Sequence, residues 1–301
     1  MSVLTEKLKS ICNDKNVLTD EPMKKHTTFK IGGNADVMVF PETAEALRDV
    51  IALCKSENAR TVILGNGSNV LVDDKGIRGV VVSTARLDNI KVDGCKITAG
   101  AGAMLSSVAS AATNSALCGL EFASGIPGTL GGGIFMNAGA YGGELKDVIS
   151  SVTFLTEDGQ IQTFSNEECK FGYRSSIFQQ NGGLILSAQF ELKCGCKEEI
   201  TALCGELNQR RRDKQPLNFP SAGSTFKRPE GYFAGKLIED CNLKGFRIGG
   251  AEVSEKHSGF VINTGDATAQ DVIDLISHIQ KTVKEKFGVD LQTEVKYIPE
   301  K

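Results

Sequence analysis

The chain has 301 residues, 41% of them hydrophobic and 24% charged, with a net charge of −3. That length allows two domains or one large one with a sizeable core. The small negative charge gives no general reason to expect nucleic acid or a membrane surface as a partner. No apolar run approaches the roughly 20 residues of a membrane span.

The first residues, MSVLTEKLKSICNDKN, mix charges into a short amphipathic pattern unlike a signal or transit peptide, so a cytoplasmic protein is expected. Thr43 can cap a helix whose Leu47, Val50, Ile51 and Cys54 follow i, i+3, i+4, i+7 spacing. Strand-like TVIL (61–64) then runs through the loop GNGSN (65–69) into VLV (70–72), again strand-like. A Rossmann phosphate loop reads strand, GxGxxG, helix. A strand after the glycines points instead to a flavin fold that grips pyrophosphate from strand-connecting loops. These elements form a first unit ending near Val82.

A second unit carries the β-type segments VVVS (80–83) and KITAG (96–100). A helix follows around Leu105–Leu117, with Leu105, Val108, Ala109 and Ala112 on one side. Next comes SGIPGTLGGGIFMNAGAYGG (124–143), dense in glycine yet threaded with Ile126, Leu130, Ile134, Phe135 and Met136. A flexible linker would lack that apolar load. Glycine among core-grade side chains describes packed backbone whose amides can converge on an anion or lie against a ring, so the stretch reads as a cofactor cradle. Asp-Gly in SVTFLT-EDG-QIQTFS (151–165) predicts a hairpin.

A third unit starts near Lys197. EEITALCGELNQRRR (198–212) reads as a helix with acids first and arginines last, as the macrodipole favours. The proline-bearing segment 213–231 reads as irregular. A long helix over about Ala269–Phe287 has Thr268 as its N-cap and Val272, Ile276, Ile279 and Val283 on one face. Strand-like TEVKYI (293–298) closes the chain.

Nine cysteines are scattered from Cys12 to Cys241, and only Cys194 and Cys196 are close in sequence. CGC is not zinc spacing and no histidine pair accompanies it, so no metal is expected and the thiols read as reduced and structural. His26, His257 and His278 form no metal spacing either.

Several segments can carry chemistry. Gly65, Asn66, Gly67, Ser68 and Asn69 offer backbone donors and short polar side chains to a diphosphate, though a plain tight turn reads the same way. In the cradle, Ser124, Gly125, Ile126, Pro127, Gly128 and Gly132, then Asn137, Ala138 and Gly139, are the cofactor candidates. Two separated glycine loops suit the two ends of FAD. Ser224 in SAGSTFKRP lacks a nearby base and the GxSxG elbow, so a proton donor fits better than a nucleophile. Arg174 lies among aromatics in FGYRSSIF and reads equally as a surface arginine stacked on Tyr173. The RRRDK run (210–214) reads as a solvated helix end rather than a diphosphate clamp. Glu294 is an acid on an otherwise apolar strand.

HTTFKIGG (26–33), LGNGSNVLV (64–72), SGIPGTLGGG…NAGAYG (124–142), YRSSIF (173–178), AGSTFKRP (222–229), KGFRIGGAEVSEKHSGFVIN (244–263) and TEVKYI (293–298) together resemble the UDP-N-acetylenolpyruvoylglucosamine reductase (MurB) family, in order and over nearly the whole chain. The resemblance implies an α+β protein. It implies an FAD-binding domain of the vanillyl-alcohol-oxidase (PCMH) type over 1–196, in subdomains of about 1–82 and 83–196. A smaller α+β substrate domain would cover 197–301, with the last strand (about 291–301) returning to the FAD domain. FAD held without a covalent bond and NADPH as co-substrate are implied, with UDP-N-acetylglucosamine enolpyruvate reduced to the peptidoglycan precursor UDP-N-acetylmuramate. By motif, Arg174, Ser224 and Glu294 fall at the catalytic positions, and Tyr173, Lys214, Arg228 and His257 at substrate contacts. Hydride would pass from flavin N5 to the enolpyruvyl β-carbon. Arg174 and Glu294 would offset the enolate charge, and Ser224, helped by Lys227, would protonate the α-carbon. The chain looks like the shorter type, without a tyrosine-bearing insertion and with arginine at 228 in place of asparagine.

Overall fold

The Asp-Gly turn closes its hairpin: strands Ile149–Leu155 and Ile161–Ser165 pair antiparallel with Thr153 opposite Thr163. This computed structural model describes residues 2–301. The chain divides into two compact units.

The first unit comprises residues up to Leu18, Val37–Asn66 and Gly79–Arg211. Its five-stranded antiparallel sheet has the order Ile161–Ser165, Ile149–Leu155, Leu184–Glu191, Lys96–Gly100, Ile90–Asp93. Helix Leu105–Asn114 buries Leu105, Val108, Ala109 and Ala112, the face its spacing predicted. A second core joins Leu4 and Leu8 of helix Ser2–Cys12 to Leu47, Val50 and Cys54 of helix Ala44–Ser56, against Val80 and Val82. Thr43 caps the latter helix, its hydroxyl accepting from the Ala46 N–H at 3.1 Å. Thr61–Leu64 and Val80–Ser83 pair in parallel.

The second unit comprises Thr19–Asp36, Gly67–Arg78 and Arg212–Lys301. Its antiparallel sheet has the order Ser221–Ser224, Phe260–Asn263, Ala251–Val253, Arg247–Ile248. Helix Ala269–Phe287 buries Val272, Leu275, Ile279 and Val283 in this unit's core; Leu275 takes the central place expected of Ile276, which is only partly buried. Thr268 and Asp271 form a capping box, and the Asp74 carboxylate accepts from the Ala269 and Gln270 N–H groups at 2.7 and 3.1 Å. Carboxylates at a helix N-terminus satisfy otherwise unpaired donors.

These units divide the chain differently from the 196/197 boundary read in the sequence. Residues 19–36 and 67–78 belong with the C-terminal part, and most of helix Lys197–Lys214 belongs with the first unit. The physical reason is visible in the second core, where Phe29, Ile31 and Leu71 pack with Phe226, Leu237 and Leu275. The closing strand is shorter than expected, Lys296–Ile298, and pairs in parallel with Val70–Val72, itself part of the second unit. Ser221–Ser224 is a strand inside the segment expected to be irregular.

Candidate active site

In the first unit Gly65 and Asn66, which open the GNGSN loop, meet the glycine-rich cradle. Asn66 Nδ2 donates to the Pro127 carbonyl at 2.6 Å. A Cβ added at Gly65 would fall on Thr129 Oγ1, so only glycine lets the backbone approach that hydroxyl so closely. Thr129 Oγ1 is itself buried and has no hydrogen-bond partner among the described residues. A buried hydroxyl left alone costs about 1–3 kcal/mol. An orphan polar atom between two glycine loops is what a site for a polar cofactor group requires, so the residues fit a bound dinucleotide.

The cradle is not irregular throughout. Leu130–Met136 is a short helix, entered by Leu130 and Gly131 N–H groups donating to the Ala103 and Ala101 carbonyls, each at 2.8 Å. Asn137 ends it in the left-handed region (φ 44) and is fully buried. Its side chain is committed within the unit. The amide nitrogen donates to Glu144 Oε2 and the Gly172 carbonyl (3.1 and 3.0 Å), and its oxygen accepts from the Lys146 N–H at 3.0 Å. Ser124 is likewise engaged, donating to the Glu121 carbonyl at 2.8 Å and accepting from Asn208 Nδ2 at 3.2 Å. Ile126 packs against the main core, Gly128 accepts from the Leu105 N–H, and Gly139 pairs with Glu144 in a two-residue ladder.

Arg174 occupies the tip of a two-residue turn closed by reciprocal Gly172–Ser175 backbone bonds at 3.0 and 3.2 Å. Its φ of 53 is left-handed, which costs a non-glycine residue roughly 1–2 kcal/mol. Its guanidinium lies 5.1 Å from the centroid of the exposed Tyr173 ring, as the stacked reading anticipated. Downstream, Phe178 is buried against Phe154, ring centroids 5.1 Å apart, and anchors the segment. Arg211 lies in the run whose spacing reads as a solvated helix end, and the structure departs from that expectation. Arg211 is half-buried beside the cradle, where a Cβ on Gly125 would meet Asn208 Oδ1 and Arg211 Cδ at 2.5 and 3.1 Å. Arg210 and Arg212 are exposed as expected.

In the second unit Ser224 and Glu294 stand on neighbouring backbones. Phe226 and Thr293 form an antiparallel bridge, and the Glu294 N–H donates to the Thr225 carbonyl at 2.8 Å. Glu294 lies just before the closing strand rather than within it. Ser224 is exposed at the end of its strand, while Thr225 and Phe226 are buried. Thr225 Oγ1 accepts from the Val261 N–H at 3.0 Å, locking the strand that presents Ser224. Thr28 Oγ1 of the HTTF segment donates to the Ser221 carbonyl at 2.7 Å. Gly67 (φ 61) rests on the same segment, accepting from the Thr28 N–H at 3.1 Å. Ser68 is partly exposed beside it.

His257 and Lys214 come together here. The Gly259 N–H donates to His257 Nδ1 at 3.1 Å, so the ring is neutral with its proton on Nε2. Burial lowers the His257 pKa from its ordinary value, and the positive charges of Lys244 and Lys214 push the same way. Lys256 Nζ ties this loop to the Arg212 carbonyl at 2.6 Å. Arg228 is exposed, its guanidinium 3.9 Å from the Phe233 ring centroid. Of the three catalytic candidates, Arg174 therefore belongs to the first unit and Ser224 and Glu294 to the second.

Among the described residues, no group of three or more His, Cys, Asp and Glu is placed to hold a metal, and no helix is long and apolar enough to cross a membrane. All nine cysteines are free; Cys194, noted for its proximity to Cys196, has its Sγ 3.2 Å from that of Cys95.

A model of the UDP-N-acetylenolpyruvoylglucosamine reductase C-terminal domain matches residues 215–298, and one of an FAD binding domain matches residues 35–165. The UDP-N-acetylenolpyruvoylglucosamine reductase of Caldanaerobacter subterraneus subsp. tengcongensis is 57% identical over 299 residues, covering 99% of both chains. The chain belongs to the UDP-N-acetylenolpyruvoylglucosamine reductase family. The Clostridioides difficile reductase of the same name is 52% identical over 97% of each chain. The crystal structure of the MurB reductase from Thermus caldophilus superposes with a TM-score of 0.80 at 34% identity, over 94% of this chain and 98% of that one. The chain is thus an α+β oxidoreductase with an FAD-binding domain of the vanillyl-alcohol-oxidase type.

Proposed function

We propose that this chain reduces UDP-N-acetylglucosamine enolpyruvate to UDP-N-acetylmuramate with NADPH, using non-covalently held FAD, as a cytoplasmic step in peptidoglycan precursor synthesis. The observation that carries the reading is the Thr225–Glu294 backbone bond, which holds a donor hydroxyl and a carboxyl on adjacent backbones in a chain of this family.

Thr129 and Asn66, with the backbone around Gly65 and Gly125–Gly132, would hold the FAD. When bound, FAD supplies hydride chemistry that links NADPH to the enolpyruvyl double bond. The chain's own residues handle charge and proton. Saturating the β-carbon leaves negative charge on the carboxylate side of the substrate. The Arg174 guanidinium, a fixed fork of donors, offsets that charge, and Glu294 supports it. The α-carbon then needs a proton, and the exposed Ser224 hydroxyl delivers it. Tyr173, Lys214, Arg228 and the neutral His257 contact the substrate. FAD domain and substrate domain follow the two family matches, 35–165 and 215–298. Purified protein should be yellow and should oxidise NADPH only when the enolpyruvyl sugar nucleotide is added; a colourless protein that FAD cannot reconstitute would refute the reading.

A further inference from the structure

We propose that Gln179 is a positioning residue for Arg174, a role that rests on the reading of Arg174 above. Arg174 sits in a left-handed conformation (φ 53) that its side chain disfavours, so its surroundings must hold it there. The turn is fastened to the end of the cradle helix by three side chains. Asn137 Nδ2 donates to the Gly172 carbonyl at 3.0 Å and Ser176 Oγ to the Phe135 carbonyl at 2.9 Å. Gln179 differs from both because it grips the Arg174 peptide itself: its Nε2 donates to the Arg174 carbonyl at 3.1 Å and to the Phe135 carbonyl at 2.7 Å. One primary amide, with two hydrogens, thus links the backbone of the arginine to the last turn of the cradle helix. Its Nε2 also lies 3.7 Å from Met136 Sδ in that turn. The orientation of the Arg174–Ser175 peptide sets where the Cα–Cβ bond of Arg174 points. Gln179 fixes that peptide and so fixes the aim of the guanidinium without touching substrate.

The test is anaerobic single turnover on the FAD-loaded enzyme, following flavin reoxidation by the enolpyruvyl sugar nucleotide. Gln179→Met keeps the volume and removes both donors. It should slow reoxidation about tenfold or more, leaving FAD content, the flavin absorption spectrum and flavin reduction by NADPH unchanged. In an Arg174→Ala background, Gln179→Met should cause no further slowing, because there is no longer a guanidinium to aim. An undiminished effect in that background, or equal slowing of both half-reactions, would mean a merely structural role and overturn the proposal. If Arg174→Ala alone left reoxidation intact, the assignment of Arg174 would fail and Gln179's role with it. If Arg174→Ala were slow and Gln179→Met were not, only the role of Gln179 would fail. Gln179→Asn, which keeps the amide but withdraws it by one methylene, replaces Gln179→Met if that variant does not fold, with the same outcomes.

Discussion

The side-chain amide of Asn69 donates to the backbone carbonyl of Glu294 at 3.2 Å, and the Asn69 carbonyl accepts from the Lys296 N–H at 2.9 Å. The last residue of the GNGSN loop therefore grips the chain on both sides of Val295. With the Glu294 N–H held by the Thr225 carbonyl, both backbone polar groups of Glu294 are engaged. Asn69→Ala removes one neutral hydrogen bond worth about 1 kcal/mol. It should slow flavin reoxidation by the enolpyruvyl substrate roughly five- to tenfold with little change in the overall fold. Unchanged reoxidation kinetics would show that Glu294 needs no such brace.

Ser224→Ala tests the proton donor. It should leave reduction of the flavin by NADPH intact and slow reoxidation by orders of magnitude, since only the second half-reaction needs a proton at the α-carbon. Rapid-reaction absorbance on each half-reaction separates the two. Equal slowing of both would reject the assignment.

Gly65→Ala tests the cradle. The new Cβ would fall on Thr129 Oγ1, so the loops must part and FAD should be held at least tenfold more weakly, measured by titrating apoprotein with FAD. Gly205→Ala is the control: it lies exposed in helix Lys197–Lys214, where an added Cβ meets nothing within 4 Å. Alanine there should leave FAD affinity alone and stabilise the protein by about 0.5–1 kcal/mol. Equal FAD affinity in the two variants would count against the cradle.

Alkaline pH should destabilise the protein through two buried thiols. Burial pushes Cys12 and Cys169 up to about 11 from an ordinary value of 9.0. Between those values the unfolded chain releases protons that the folded chain retains. The stabilisation is therefore complete below pH 9 and is lost as pH rises through 11. Urea melts across that window should show falling stability, with a shallower slope for the Cys12→Ala/Cys169→Ala variant. An unchanged slope would place the effect elsewhere.

What could be read from the sequence was local. The Thr43 and Thr268 caps, the Asp-Gly hairpin and the apolar faces of three helices depend on neighbours within a few residues; they stand where their patterns put them, except that Ile51 and Ile276 are only partly buried. The cradle helix was hidden because a GGG run opposes helix formation by about 1 kcal/mol per glycine. It forms because Ala101 and Ala103 accept its first N–H groups and because Leu105 and Leu145 pack where a Gly133 side chain would stand. The unit boundaries were hidden because Val70–Val72 finds its partner at Lys296–Ile298, far along the chain. Arg211 looked like its exposed neighbours until the fold laid it against Gly125. Thr129 did leave a signal, a hydroxyl directly before the LGGG run, and its importance shows only once Gly65 is beside it.

The most direct measurement is anaerobic. The flavin of the loaded protein is reduced chemically, oxygen is excluded, and the enolpyruvyl sugar nucleotide is added. The oxidised flavin absorbance should return in full, with one equivalent of UDP-N-acetylmuramate formed per flavin. A flavin that stays reduced until oxygen is admitted would contradict the proposed reaction.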